Sequence, residues 1–210
     1  MQATPHSKIP NIAVVGCGHW GKNLVRNFYQ LGALSAICDA NAEQLAHIGG
    51  QYRDVLTSSR YESIVTNPSI DGIVIATPSH THYALAKAAL LADKNVYVEK
   101  PIATRLEEAE ELQVLANKVE KVLMVGHLLL YHPVIHRLKQ LIEEGYLGEI
   151  RYIESDRLNL NPNRPDKSVL WDLGPHDLSM MMYLLGEKPE KVLSVQGSQT
   201  GDDGLVDVAH

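Results

Sequence analysis

Residues 11–24, NIAVVGCGHWGKNL, bring an apolar run up to glycines at 16, 18 and 21 and then open a helical pattern. Few features constrain a fold more tightly than a strand that passes through G-x-G-x-x-G into a helix. The first glycine permits a tight turn, the second lets backbone approach a pyrophosphate, and the third lets helix and strand pack closely. The helix N-terminus then turns its free N–H groups and positive dipole end toward phosphate. Three glycines alone are a weak signal. They gain weight only inside a strand–turn–helix unit.

The rest of the N-terminal sequence supplies that context. Apolar runs at Ile12–Val15, Leu34–Cys38, Gly72–Ala76, Asn95–Val98 and Val122–Val125, with a shorter one near Asp54–Leu56, alternate with helical patterns. Leu24, Phe28 and Leu31, and later Ala109, Leu112, Ala116 and Val119, recur at helical spacing. Strands so continuously apolar are buried on both faces, as in a parallel sheet covered by helices. The expected fold is α/β, with a doubly wound parallel sheet of the Rossmann type over residues 1–125. Residues 126–210 read as a second, incomplete α+β domain. Helices are expected at Pro133–Glu144 and Pro175–Leu185, and strands at Glu149–Leu160 and Lys191–Gln196. The last residues, LVDVAH, begin a strand-like alternation and stop. A half-built sheet leaves a sticky edge, so a C-terminally truncated chain is the reading. The alternative is a naturally short protein that pairs this edge with another chain.

Composition removes several function classes. The 19 Lys and Arg are scattered among 25 Asp and Glu, for a net charge of -6, and form no basic stripe for nucleic acid. Residues 1–10 lack the apolar core of a signal peptide. The uncharged stretch Val122–His136 is broken by Gly126, two histidines and Pro133, and is too short to span a bilayer. Cys17 and Cys38, the only cysteines, have neither metal-site nor redox-motif spacing, and a cytoplasmic location is expected. His80 with His82 reads as a helix-start histidine pair, and no acidic or thiol ligand joins His127, His132 and His136 in the pattern. No metal site is expected.

Three segments carry candidate chemistry. Asp39 ends the second strand, 18 residues beyond Gly21, where a carboxylate bonds ribose hydroxyls and repels a 2′-phosphate. NAD is therefore favoured over NADP, although Asp39 could instead cap the helix starting near Asn41. In VEKP, Lys100 stands at the carboxyl end of the fifth strand, the side on which open α/β sheets bind ligands. A surface lysine is the plainer reading of that position. In WDLGPHDLS, Gly174 and Pro175 read as the cap and first position of a helix, which puts His176 in its first turn. The positive helix end there disfavours imidazolium, leaving a neutral ring to act as base. Asp172 would orient that ring or serve as an alternative cap.

Together GCGHWG, ATPSHTHYALAKAAL, VEKP and the D-x-x-x-H of Asp172 and His176 resemble the Gfo/Idh/MocA oxidoreductase family. That resemblance implies a Rossmann domain followed by an open-faced sheet domain that often forms the oligomer interface, so a homo-oligomer is expected of a full-length form. It assigns Lys100 and His176 to proton handling, with Asp172 in support. It lays Thr77, Pro78 and His82 along an NAD cofactor, with His19, Trp20 and Glu99 beside Gly16, Gly18, Gly21 and Asp39. The stretch from GHLLLYHP to RYIESDRLNL looks closest to the nucleotide-sugar branch, which includes UDP-N-acetylglucosaminuronate 3-dehydrogenases. Tyr131, Arg157, Asn159 and Arg164 are its candidate substrate residues, because arginine suits a diphosphate or a uronate carboxylate. An inositol or plain-sugar dehydrogenase, or a non-catalytic NAD-binding truncated product, are the alternatives.

Overall fold

The computed structural model describes residues 9–157, 169–193, 195–198 and 208–209. The chain divides into two compact units, residues 1–126 and 127–210. The first is a six-stranded, all-parallel sheet in the order β3-β2-β1-β4-β5-β6. Its strands are β1 (Ile12–Val15), β2 (Leu34–Cys38), β3 (Leu56–Ser58), β4 (Gly72–Ile75), β5 (Asn95–Val98) and β6 (Leu123–Val125). Between them run α1 (Gly21–Gln30), α2 (Ala42–Gly49), α3 (Tyr61–Val65), α4 (His82–Leu91) and α5 (Leu106–Lys118). This is the doubly wound Rossmann arrangement expected from the apolar runs. The strand order reverses between β1 and β4, and a crevice opens there beyond the carboxyl ends of the strands.

The alternating faces of the sheet feed two cores. Ala13, Val15, Ile73, Ile75, Val96 and Val98 pack on one side with Leu90, Leu112 and Ala116. Val14, Ile37 and Val74 pack on the other with Val25, Leu45 and Ile48. Residues two apart on a strand share a face, so adjacent valines and isoleucines serve opposite layers. The edge strand lies two residues later than its apolar run suggests. Its register is set by pairing Ala36 with Leu56 and Cys38 with Ser58, not by burial, since Leu56 is exposed.

In the second unit, α6 (Pro133–Glu143) starts at a proline, with the His132 ring nitrogen accepting from the Val134 N–H at 3.2 Å. A 3-10 turn at Leu128–Tyr131 precedes it. The long helix α7 (Val169–Leu185) contains Pro175, so Gly174 and Pro175 neither cap nor start it. The helix runs through the proline at the cost of the one hydrogen bond that the missing N–H would make. The two strands expected in this unit are also relocated. Described residues of Glu149–Leu160 and of Lys191–Gln196 are not in strands, whereas β7 (Gly197–Ser198) pairs antiparallel with β8 (Val208–Ala209). Alternating apolar residues make a strand only where a second backbone lies alongside to hydrogen-bond. Among the described residues, no helix is long and apolar enough to cross a membrane.

Candidate functional site

The three loop glycines meet three different surroundings. Gly16 has φ +90°, and a Cβ there would stand 2.7 Å from the Ala76 carbonyl carbon. At Gly21 a Cβ would lie 1.8 Å from the Gly16 oxygen. Both positions are sealed by backbone, one by the loop after β4 and one by the turn itself. At Gly18 a Cβ would meet nothing within 4 Å, and the residue is exposed. The first and third glycines are therefore demanded by folding. The middle one leaves its backbone bare to solvent, on the side from which a phosphate would approach.

Asp39 is tied to this loop. Its Oδ2 accepts from the Cys17 N–H at 2.6 Å and its Oδ1 from the Asn41 N–H at 2.8 Å. Asn41, not Asp39, caps α2, its side-chain oxygen accepting from the N–H groups of Glu43 and Gln44. A carboxylate offers about four acceptor sites, so two remain on Asp39 for hydroxyl donors. Gln44, a residue the sequence reading passed over, donates to the Cys17 carbonyl at 2.8 Å. Its position three after the Asn41 cap resembles a capping box, but the side chain reaches the glycine loop instead. Burial pushes the Cys17 thiol up to about 12 and Cys38 to about 11, with the Asp39 charge adding to both. These thiols are inert packing groups.

At the ends of β4 and β5 a second set of candidates converges. Glu99 is 8% exposed, and its Oε1 accepts from the Trp20 indole N–H at 2.8 Å and the Tyr97 hydroxyl at 2.9 Å. Trp20 of the glycine loop is thereby fixed to the end of β5. Tyr97, two residues before Glu99 on the strand, escaped the sequence reading although this spacing places both on one face. Gly126 makes room for the pair, since a Cβ there would stand 2.5 Å from the Tyr97 hydroxyl. Half-buried Lys100 follows, joined to Pro101 by a cis peptide bond. Thr77 and Thr81 share a hydroxyl contact at 2.6 Å, Pro78 is exposed, and His19 is exposed beside Gly18. His82 opens α4. It is 2% exposed, with its ring nitrogens 2.7 Å from the Pro101 oxygen and 2.8 Å from the Thr77 oxygen. The ring faces backbone, not solvent.

In the second unit, Asp172 lies in the first turn of α7 and His176 one turn further on. Their spacing of four puts both on one face of the helix. His176 is thus too far from the N-terminus for the dipole effect expected of it, which fades within the first turn. Arg157 is already engaged. Its Nε and Nη2 donate to Asp177 at 2.8 and 2.9 Å, and the Ser155 hydroxyl donates to the same carboxylate at 2.9 Å. The Arg157 guanidinium, with help from Ser155, holds the Asp177 carboxyl below the usual carboxylate range against the opposing effect of burial. Nothing in the spacing of Arg157 and Asp177 announced this pair. Tyr131 is exposed at the end of the 3-10 turn. Asn159 and Arg164 lie outside the described residues. Among the described residues no cluster of His, Cys, Asp or Glu is arranged to hold a metal ion.

Comparison with known proteins agrees with this layout. Residues 10–127 match the oxidoreductase family with an NAD-binding Rossmann fold, and residues 135–210 match the GFO/IDH/MocA C-terminal domain. The chain is 33% identical over 183 residues to a UDP-N-acetylglucosamine 3-dehydrogenase from Acidithiobacillus ferrooxidans, covering 87% of this chain and 56% of that protein. It is 30% identical over 200 residues to a levoglucosan dehydrogenase from Pseudarthrobacter phenanthrenivorans, covering 84% of this chain and 51% of that one. The chain thus spans about half the length of the curated relatives it matches. Its fold is shared with an Agrobacterium radiobacter oxidoreductase solved with NAD+, L-tartaric acid and magnesium, at a TM-score of 0.80 and 21% identity over 93% of this chain and 60% of that one. A glycine loop tied to Asp39, a strand end carrying Glu99 and Lys100, and matches over both units make this chain a member of the Gfo/Idh/MocA oxidoreductase family.

Proposed function

We propose that the protein works as an NAD-dependent oxidoreductase that moves a hydride between a sugar hydroxyl carbon and nicotinamide, with a UDP-sugar or sugar uronate as substrate. The observation that carries this reading is the glycine loop. Its middle glycine is open while its neighbours are sealed, and Asp39 stands bonded beside it with acceptor sites to spare. That arrangement suits a pyrophosphate on the loop and ribose hydroxyls on Asp39. A fixed carboxylate at that point also repels the 2′-phosphate of NADP.

Hydride-accepting chemistry is supplied by the nicotinamide when NAD is bound. The remaining work falls to side chains. A hydroxyl carbon releases hydride only as its proton leaves, because the carbon must become a carbonyl. In this reading the Lys100 ammonium stabilises negative charge as it develops on the reacting oxygen. His176 takes or relays the proton, and Asp172, one turn away on the same helix face, supports it. Glu99 keeps Trp20 against the end of β5, so that the glycine loop and the Lys100 strand move as one. Because Arg157 gives two of its five N–H donors to Asp177, it would contact a diphosphate or carboxylate only through the other three.

The nucleotide-sugar assignment is supported by the relative that acts as a UDP-N-acetylglucosamine 3-dehydrogenase, while the levoglucosan dehydrogenase keeps plain sugars as the second reading. Incubating the protein and NAD+ with UDP-N-acetylglucosamine, with UDP-N-acetylglucosaminuronate, and with inositol or glucose, and following NADH, separates the two. Reduction with the UDP-sugars is expected, and reduction only with free polyols would replace this substrate class by the other. Lys100→Met should lower hydride transfer by about a thousandfold, within the usual range for a positioned proton-handling group, while NADH titration by fluorescence stays unchanged.

A further inference from the structure

The His82 ring sits where two candidate loops part. β4 and β5 pair through Ile75 and Val98, and the Glu99 N–H still reaches the Ile75 oxygen at 2.9 Å. Beyond that bond one chain runs on to Thr77 and Pro78, the other to Lys100 and Pro101. The ring continues the connection, with Nε2 2.8 Å from the Thr77 oxygen and Nδ1 2.7 Å from the Pro101 oxygen. At 2% exposure it has no path to solvent. Both partners are carbonyls and can only accept, so the ring serves both at once only with a hydrogen on each nitrogen, and a ring with a single N–H serves one of them. A buried phenyl ring would fill the same volume without serving either carbonyl, which would cost the desolvation of two polar groups.

We propose that His82 is a positioning residue that acts separately through its two nitrogens. Nε2 sets the Thr77–Pro78 loop on the cofactor side, and Nδ1 sets the Pro101 carbonyl and with it Lys100. The first loop leans on the glycine turn, where the Ala76 carbonyl closes over Gly16. His82 therefore joins the phosphate cradle to the reacting lysine. The proposal rests on the cofactor and lysine roles given above.

Two isosteric replacements divide the ring. Asparagine places its amide nitrogen where Nδ1 stands, and glutamine places its own where Nε2 stands. His82→Asn keeps the Pro101 bond, and His82→Gln keeps the Thr77 bond. Two readouts follow them in the full chain without any substrate: NADH affinity by fluorescence, and the acylation rate of Lys100 by peptide mass mapping, with exposed Lys118 on α5 as reference. His82→Asn should weaken NADH at least threefold and leave the Lys100 rate within twofold of the parent. His82→Gln should do the reverse, and His82→Phe should disturb both. Parallel shifts of both readouts in the Asn and Gln variants, or no shift in either, would overturn the proposal, and this pair decides it even where the Phe variant does not fold. A parent protein that reduces no NAD with any sugar would count against the proposed function, yet the Lys100 and NADH readouts would still decide the role of His82.

Discussion

The two units bury their apolar residues very differently. In residues 1–126, side chains such as Val14, Ile37, Ile64, Ile75, Leu90 and Leu112 are shut off almost completely. Among the described residues of 127–210, Leu184 is the one apolar side chain classed as buried, while Leu178, Val192 and Leu193 are 55%, 73% and 84% exposed. A sheet covered on both faces gives each inward side chain a wall on every side. The helices and the two-residue ladder among the described residues of the second unit do not. The N-terminal unit is therefore the place where single atoms have large energetic consequences.

The glycine loop should show the largest such effect. A methyl at Gly21 would be driven into the Gly16 carbonyl, a backbone atom that cannot step aside, so Gly21→Ala should cost about 4 kcal/mol in urea unfolding, above the usual range for overpacking. Gly18→Ala, with open space around it, should leave stability within about 0.5 kcal/mol and weaken NADH instead. A stable Gly21→Ala would break the distinction between sealed and open glycines.

Leucine truncation compares the units directly. Leu112→Ala should cost about 3 kcal/mol from lost burial and the cavity left behind, against less than about 0.5 kcal/mol for Leu178→Ala at an exposed site. Equal losses would mean that the second unit is as tightly packed as the first.

The thiols report how rarely the first unit opens. At pH 8 the raised values of about 12 for Cys17 and about 11 for Cys38 should slow iodoacetamide labelling about a hundredfold or more against an ordinary cysteine near 8.5. Labelling in urea should restore the ordinary rate. The same shifts fix a sign. The unfolded thiols lose their protons first, so stability is complete below about pH 8.5 and declines as pH climbs toward the folded values. Native labelling as fast as in urea would contradict the burial.

The smallest expected effect is at the rim of the same unit. Asp39→Ala removes a bond to Cys17 along with the ribose acceptor, and should weaken NAD about tenfold, the worth of a hydrogen bond to a charged group. NADP should weaken less, because a repulsive charge leaves at the same time. Equal losses for the two would remove Asp39 from ribose recognition.

Much of the first unit was legible in sequence because parallel strands buried on both faces write themselves as unbroken apolar runs. β1, β2 and β5 fall where those runs do. β3 slipped by two residues because an edge strand is placed by its neighbour's hydrogen bonds. α7 was misread because glycine followed by proline is a local helix-start signal, whereas the helix begins six residues earlier and runs through it. Its consequence reached the site: His176 lies past the first turn, so its chemistry cannot rest on the helix dipole. Arg157 reads in sequence as a candidate substrate residue or a member of an ordinary ion pair, and only the fold revealed that Asp177 is its partner.

The amino-acid sequence by itself determined the doubly wound sheet, the glycine turn and the candidate positions of Asp39, Glu99 and Lys100. These follow from side-chain volume, periodicity and φ freedom, which are properties of neighbouring residues. Only the tertiary structure decided the partners: Cys17 for Asp39, Trp20 and Tyr97 for Glu99, the Thr77 and Pro101 carbonyls for His82. Those contacts join residues up to 79 positions apart, and a hydrogen bond at that separation exists only after the strands have set their register.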